Sequence, residues 1–159
     1  MKYRKLNIDE LKSLEAEFIR FLASNTVTAS DWEKVKKEDA QKAEELIELF
    51  SDIVIGQSLE KVKYLDLKRP KDIRSFHCQK EKIELKGLVL EGESNFVFDI
   101  NELPEKMLAN IAQTDVSLQV ISAERVYQGS RELELFKLME QGALISKDGN
   151  LFTLLGKLK

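Results

Sequence analysis

Apolar positions between Asp39 and Leu59 recur at steps of three and four: Ala43, Leu46, Ile47, Phe50, Ile53 and Val54. That spacing stacks them on one face of a long helix, with Glu44, Glu45, Glu48 and Asp52 on the other and Asp39 at the cap. The stripe is broad, which suits a helix lying on a sheet or on another helix. A similar stripe, Leu11, Leu14, Phe18, Phe21 and Leu22, predicts a first helix opened by Asn7 with Glu10 three residues on. Ser30 with Glu33 reads as a capping box for a short helix carrying Trp32 and Val35, so the N-terminal part should be a helical hairpin.

The period changes after Leu59. Val62–Leu67 and Ile73–Cys78 read as strands separated by a turn at Pro70, and Lys82–Leu90 reads as a third with Ile83, Leu85 and Val89 on one face. Phe96, Phe98 and Ile100 alternate after the turn-like Gly92-Glu93-Ser94-Asn95 and predict a return strand. Asp99 or Asn101 should cap a helix running to about Ala112, with Pro104 tolerated in its first turn. Val116, Leu118 and Val120 suggest another strand. Ser130 should cap a helix with Leu133, Phe136 and Met139 on its stripe and Gly142 just past its end. Asp148-Gly149, between Leu144-Ile145-Ser146 and a run of apolar residues, has the chemistry of a type I′ hairpin turn. Without regular strand–helix alternation, a doubly wound parallel sheet is disfavoured. The expectation is one α+β domain over residues 1–159: an N-terminal helical hairpin, a long central helix packed on a mostly antiparallel sheet, and a C-terminal helix plus β-hairpin. Leu14, Phe18, Leu46, Phe50, Ile53, Leu85, Phe96, Phe98 and Phe136 should be buried.

Composition narrows the function classes. The chain has 159 residues, 43% apolar and 33% charged, with 7 glycines and 2 prolines, as expected for one ordered domain with short loops. Its start is charged throughout and lacks the apolar core of a signal peptide. No apolar run approaches the roughly 20 residues that span a bilayer, so the expected setting is cytoplasmic, without membrane contact. One cysteine leaves no internal disulfide framework, and one histidine leaves no usual Cys/His zinc set. Neither a phosphate-cradling glycine loop nor a nucleophile elbow is present.

Candidate chemistry is sparse. His77 and Cys78 are neighbours on a strand, so their side chains point to opposite faces and cannot form a dyad. Glu44, Glu45 and Glu48 lie within a turn of one another, but the long helix offers no histidine to complete a di-metal motif. No catalytic residue, cofactor site or metal site is therefore assigned. Charge carries more information. Glu38–Glu60 holds seven acids against one lysine, leaving −6, whereas Lys61–Lys86 holds nine Lys/Arg against four acids, leaving +5. Within the basic stretch, Lys61, Lys63, Tyr64, Lys68, Arg69, Lys71, Arg74 and Phe76 are the candidate contacts to a nucleic acid or a protein partner, since cations beside aromatic faces are what single-stranded nucleic acids use. The net charge of −3 and the interleaved acids favour instead a solvated sheet surface, or a face for an acidic helix of this chain or of a protein partner. A C-terminal helix followed by a hairpin is also the layout of a winged-helix protein, but Glu132, Glu134 and Glu140 on that helix suit a phosphate backbone poorly.

The opening Met1-Lys2-Tyr3-Arg4-Lys5-Leu6, Phe50-Ser51-Asp52-Ile53-Val54 in the long helix, the Lys61-Val62-Lys63-Tyr64-Leu65 junction and Leu135–Ser146 with its adjoining turn together resemble a family of small bacterial proteins catalogued as a domain of unknown function. The resemblance covers essentially the whole chain. It implies a stand-alone cytoplasmic domain and carries no catalytic residue. The sequence thus points first to a non-enzymatic protein-interaction domain, an adaptor or accessory subunit. An RNA- or DNA-binding protein comes second and an enzyme with an unrecognised acidic site third.

Overall fold

The structure, a computed structural model, describes residues 1–158. The chain is α+β and divides into two compact units, Met1–Glu60 and Lys61–Lys159. Among the described residues, no helix is long and apolar enough to cross a membrane.

The first unit is helical: α1 (Ile8–Ser13), α2 (Glu15–Ser24), α3 (Ala29–Glu38) and α4 (Ala40–Glu60). Asn7 caps α1 as expected, its side-chain oxygen accepting from Glu10 N at 2.8 Å. The single first helix breaks in two at Leu14, whose φ of −109° and ψ of 24° leave the helical region, although the apolar stripe continues through the break. The next cap falls on Thr28 with Asp31, not on Ser30 with Glu33. Both pairs have the same spacing. Thr28 places buried Val27 just before the cap and Trp32 at the fourth helical position, and both belong to one apolar core, an arrangement that fixes the chain's entry into the helix. Ser30 would place Ala29 and Lys34 there.

Asp39 caps α4, its carboxylate accepting from Lys42 N at 3.1 Å. Phe18, Leu46 and Phe50 are buried, with Phe18 and Phe50 rings 5.0 Å apart, whereas Leu14 is only half-buried. Ile53 is 40% exposed, contrary to expectation. Ser51 takes the inward direction, about 200° away around the helix. Its hydroxyl accepts from Leu6 N at 2.9 Å and donates to Ile47 O at 2.6 Å, which makes burying a polar side chain tolerable.

The second unit contains β1 (Tyr64–Arg69), β2 (Asp72–Cys78), β3 (Lys82–Leu90), α5 (Pro104–Ala112), β4 (Leu118–Val126), α6 (Arg131–Glu140), β5 (Leu144–Ser146) and α7 (Asn150–Leu155). The strands form one antiparallel sheet in the order β4-β3-β2-β1-β5. Ile73 and Leu88 on one face pack with Phe98, Met107, Ile111, Leu151 and Leu155, so α5 and α7 cover that face. The other face carries Leu65, Leu67, Phe76, Cys78 and Ile83, all buried, and α6 lies against its edge near Leu85 and Leu138.

Several expectations are corrected in this unit. Neither Asp99 nor Asn101 caps α5, which starts at Pro104 with Leu103 at the cap position and no side-chain cap bond. Residues 96–100 do not pair with β3, because that place is taken by β4, which is longer than the alternating Val116–Val120 suggested. Phe98 N instead donates to Pro70 O at 2.8 Å, and the Lys71 ammonium donates to Ser94 O and Phe96 O, each at 2.6 Å. Phe98 is still buried, while Phe96 and Leu85 are half-buried. On α6 the fully buried residue is Leu135 and Phe136 is half-buried, although Ser130 caps the helix and Gly142 takes a φ of 112° just beyond it as expected. Finally, Asp148-Gly149 closes no hairpin. Only Gly149 is left-handed (φ 66°), where a type I′ turn needs two such residues. Gly149 leads into α7, which buries Leu151 and Leu155 at helical spacing.

Candidate functional site: the edges and faces of the sheet

The outer strand β4 carries nine residues and pairs only with β3. In an antiparallel ladder a residue turns both its backbone groups toward one neighbour, and the next residue turns both away. Two bonds fix the phase. Tyr127 N donates to Glu81 O, and Ser117 O accepts from Glu91 N at 2.9 Å. Odd-numbered residues therefore face β3, and Leu118, Val120, Ser122, Glu124 and Val126 direct their N–H and C=O outward. Val126 is 69% exposed and Val120 40% exposed. The side chains of the outward residues share one face of the sheet, where the Lys86 ammonium donates to Ser122 Oγ at 2.7 Å and Lys82 pairs with Glu124 at 3.2 Å. Small Ser122 and Ala123 at the strand centre leave the edge open to another strand.

The sequence-derived contacts are dispersed. Alternation places Tyr64 and Lys68 on one face, and Arg74 and Phe76 on the other. Lys61 and Lys63 precede β1 and are exposed, and Lys71 occupies the β1–β2 turn, holding the 94–96 loop. Arg74 Nε lies 2.9 Å from the Asp72 carboxylate, which Arg69 approaches at 4.0 Å. Phe76 is 9% exposed and presents no free ring for stacking. Tyr64 is occupied as well: its ring stacks on His77 at 4.6 Å, and Phe152 closes the group.

His77 and Cys78 do point to opposite faces, His77 into that aromatic group and Cys78 into the buried layer. Burial pushes the Cys78 thiol up to about 12, more than offsetting the nearby Arg131 guanidinium, which disfavours the reactive thiolate at neutral pH. Arg131 had no signal in the sequence. Its guanidinium donates to the carbonyls of Val62, Cys78 and Gln79 at 2.5–3.0 Å, binding the ends of β1 and β2 to the start of α6. Tyr127 donates its hydroxyl to Gln79 O at 2.8 Å, and burial raises its phenol to about 12.

At the opposite edge a cleft of about 500 Å³ opens between β1, β5 and the starts of α5 and α7. Asp66, Lys68, Glu105, Ser146, Asp148 and Asn150 supply its polar lining. Burial raises the Asp66 carboxyl above the usual range, against the bond it accepts from Ser75 Oγ at 2.7 Å. Glu105 is held below its usual range by the Asn150 amide at 2.5 Å. Among the described residues, no group of three His, Cys, Asp or Glu side chains converges as a metal site.

A family model for a family of unknown function (DUF6495) matches residues 1–159. The chain belongs to that family. Comparison with curated proteins and with solved structures returns no match. Membership thus assigns no chemistry to any residue of this DUF6495 chain, and the functional reading rests on its own geometry.

Proposed function

We propose that the chain is a non-enzymatic protein-interaction domain of the cytoplasm, an adaptor or accessory subunit, that takes an extended polypeptide segment along the outer edge of β4. The observation that carries this reading is the five-residue row of outward N–H and C=O groups on a nine-residue edge strand. Added strands gain main-chain hydrogen bonds there, and alternate side chains supply specificity. A nucleic-acid partner draws less support, because the cations of 61–86 are divided between two faces and partly matched by Asp72. The acidic enzyme reading keeps one specific observation, the raised Asp66 carboxyl in its cleft.

The test is peptide-display selection on the wild type and on Ser122→Pro. Proline removes an outward N–H without touching the β3 ladder. The expected result is a set of extended peptides that lose binding to the variant and slow amide exchange at Val120, Ser122 and Glu124. Peptides indifferent to Ser122→Pro, or failure of a monomeric wild type to select any peptide, would contradict the reading.

A further inference from the structure

We infer that the occupant of the β4 edge is a second copy of the same chain, paired antiparallel about a two-fold axis at Ser122 so that two five-stranded sheets join into one. This inference rests on the edge-pairing reading above and commits it to one partner. Strand phase limits the choices first. Outward groups belong to even-numbered residues, so a second copy must set even against even. Ser122 is the midpoint of Leu118–Val126, and an axis there alone lets all nine residues overlap. Five pairs of outward residues would then exchange about ten backbone hydrogen bonds.

Side-chain chemistry favours the same centre. With the axis at Ser122, Leu118 stands opposite Val126, Val120 opposite Glu124, and Ser122 opposite itself. On the other face Gln119 meets Arg125 and Ile121 meets Ala123. No like charges face one another, and the pairing covers Val126, now 69% exposed. Moving the axis to Glu124 or Arg125 would set like charges directly opposite, which destabilises a strand pair. The edge also lacks the usual devices against self-pairing: Leu118–Val126 contains no proline and no bulge, and its two charged residues sit off-centre.

Sedimentation velocity over a hundredfold range of concentration tests the pairing and its register, with circular dichroism verifying that each variant is folded. The wild type should show a concentration-dependent monomer–dimer equilibrium, and Ser122→Pro should be monomeric throughout. Val120→Lys, placing an ammonium opposite Glu124 of the second copy, should tighten the dimer several-fold, whereas Val120→Glu should weaken it by at least as much. A wild type that stays monomeric, or a dimer indifferent to Ser122→Pro, would overturn the inference. Equal effects of Val120→Lys and Val120→Glu would overturn the register. If the wild type is monomeric, peptide selection separates the two claims: captured peptides leave the edge-pairing reading standing, and their absence removes both.

Discussion

The two edges of the sheet are built in opposite ways. At one end β5 is three residues long and turns through Gly149 directly into α7, which plunges Leu151 and Leu155 into the core. Its backbone offers little length for another strand, and the polar cleft beside it is tied up by Asn150–Glu105 and Asp66–Ser75 bonds. At the other end β4 runs for nine residues, mostly exposed on both faces, with its outward groups in register and its anchoring bonds directed back to Lys82 and Lys86. Edge strands are ordinarily shortened, bulged or charged. This sheet shortens one edge and leaves the other long, so the two should respond differently to mutation: stability should depend on the β5–α7 edge and association on β4.

The largest effect should come from Leu151→Ala. Leu151 is fully buried beneath the sheet, and truncation there should cost about 2–5 kcal/mol in chemical denaturation, the cavity adding to the lost transfer energy. Gly149→Ala should come next at roughly 2–4 kcal/mol. Its φ is 66°, and an added Cβ would lie 2.6 Å from the Tyr64 ring, which is held between His77 and Phe152.

Asp66 gives a pH signature of the same edge. Burial raises its carboxyl in the folded state, so the unfolded chain releases that proton first as pH rises. Wild-type stability relative to Asp66→Asn should therefore be highest below the ordinary carboxylate range. It should fall as pH climbs through the raised value and level off above it. Denaturation midpoints of the two proteins across that range check the sign, and a difference rising with pH would contradict it. Smallest of all, Val126→Lys on the open edge should change monomer stability by no more than about 0.5 kcal/mol.

Sequence pattern carried the α+β class, most element positions and part of each core (Phe18, Leu46, Phe50 and Phe98), because burial imposes a period that survives in the residues themselves; it missed Ile53, which is exposed, and Leu14, Leu85, Phe96 and Phe136, which are half-buried. It failed where two chemically equivalent solutions competed. Thr28/Asp31 and Ser30/Glu33 share a spacing, and only the flanking Val27 and Trp32 separate them. Phe96 and Phe98 alternate like a strand, yet β3 has one free side and the more distant Leu118–Val126 takes it. Asp148-Gly149 has hairpin chemistry, but Leu151 and Leu155 at helical spacing make the next segment a helix. The site was less legible still. Periodicity located the start of β4 but not its position at the sheet edge, which depends on pairings between distant segments. The basic run drew attention through charge, though alternation divides it between faces.

Residue-resolved amide hydrogen exchange along β4 in dilute solution distinguishes an open edge from a covered one. An open edge requires an alternation: Gln119, Ile121, Ala123 and Arg125 protected by β3, and Val120, Ser122, Glu124 and Val126 exchanging at rates close to those of an unfolded chain. Raising the concentration should slow only the second set. Uniform protection of all eight amides at high dilution, or fast exchange of the odd-numbered ones, would show that β4 is not an open edge.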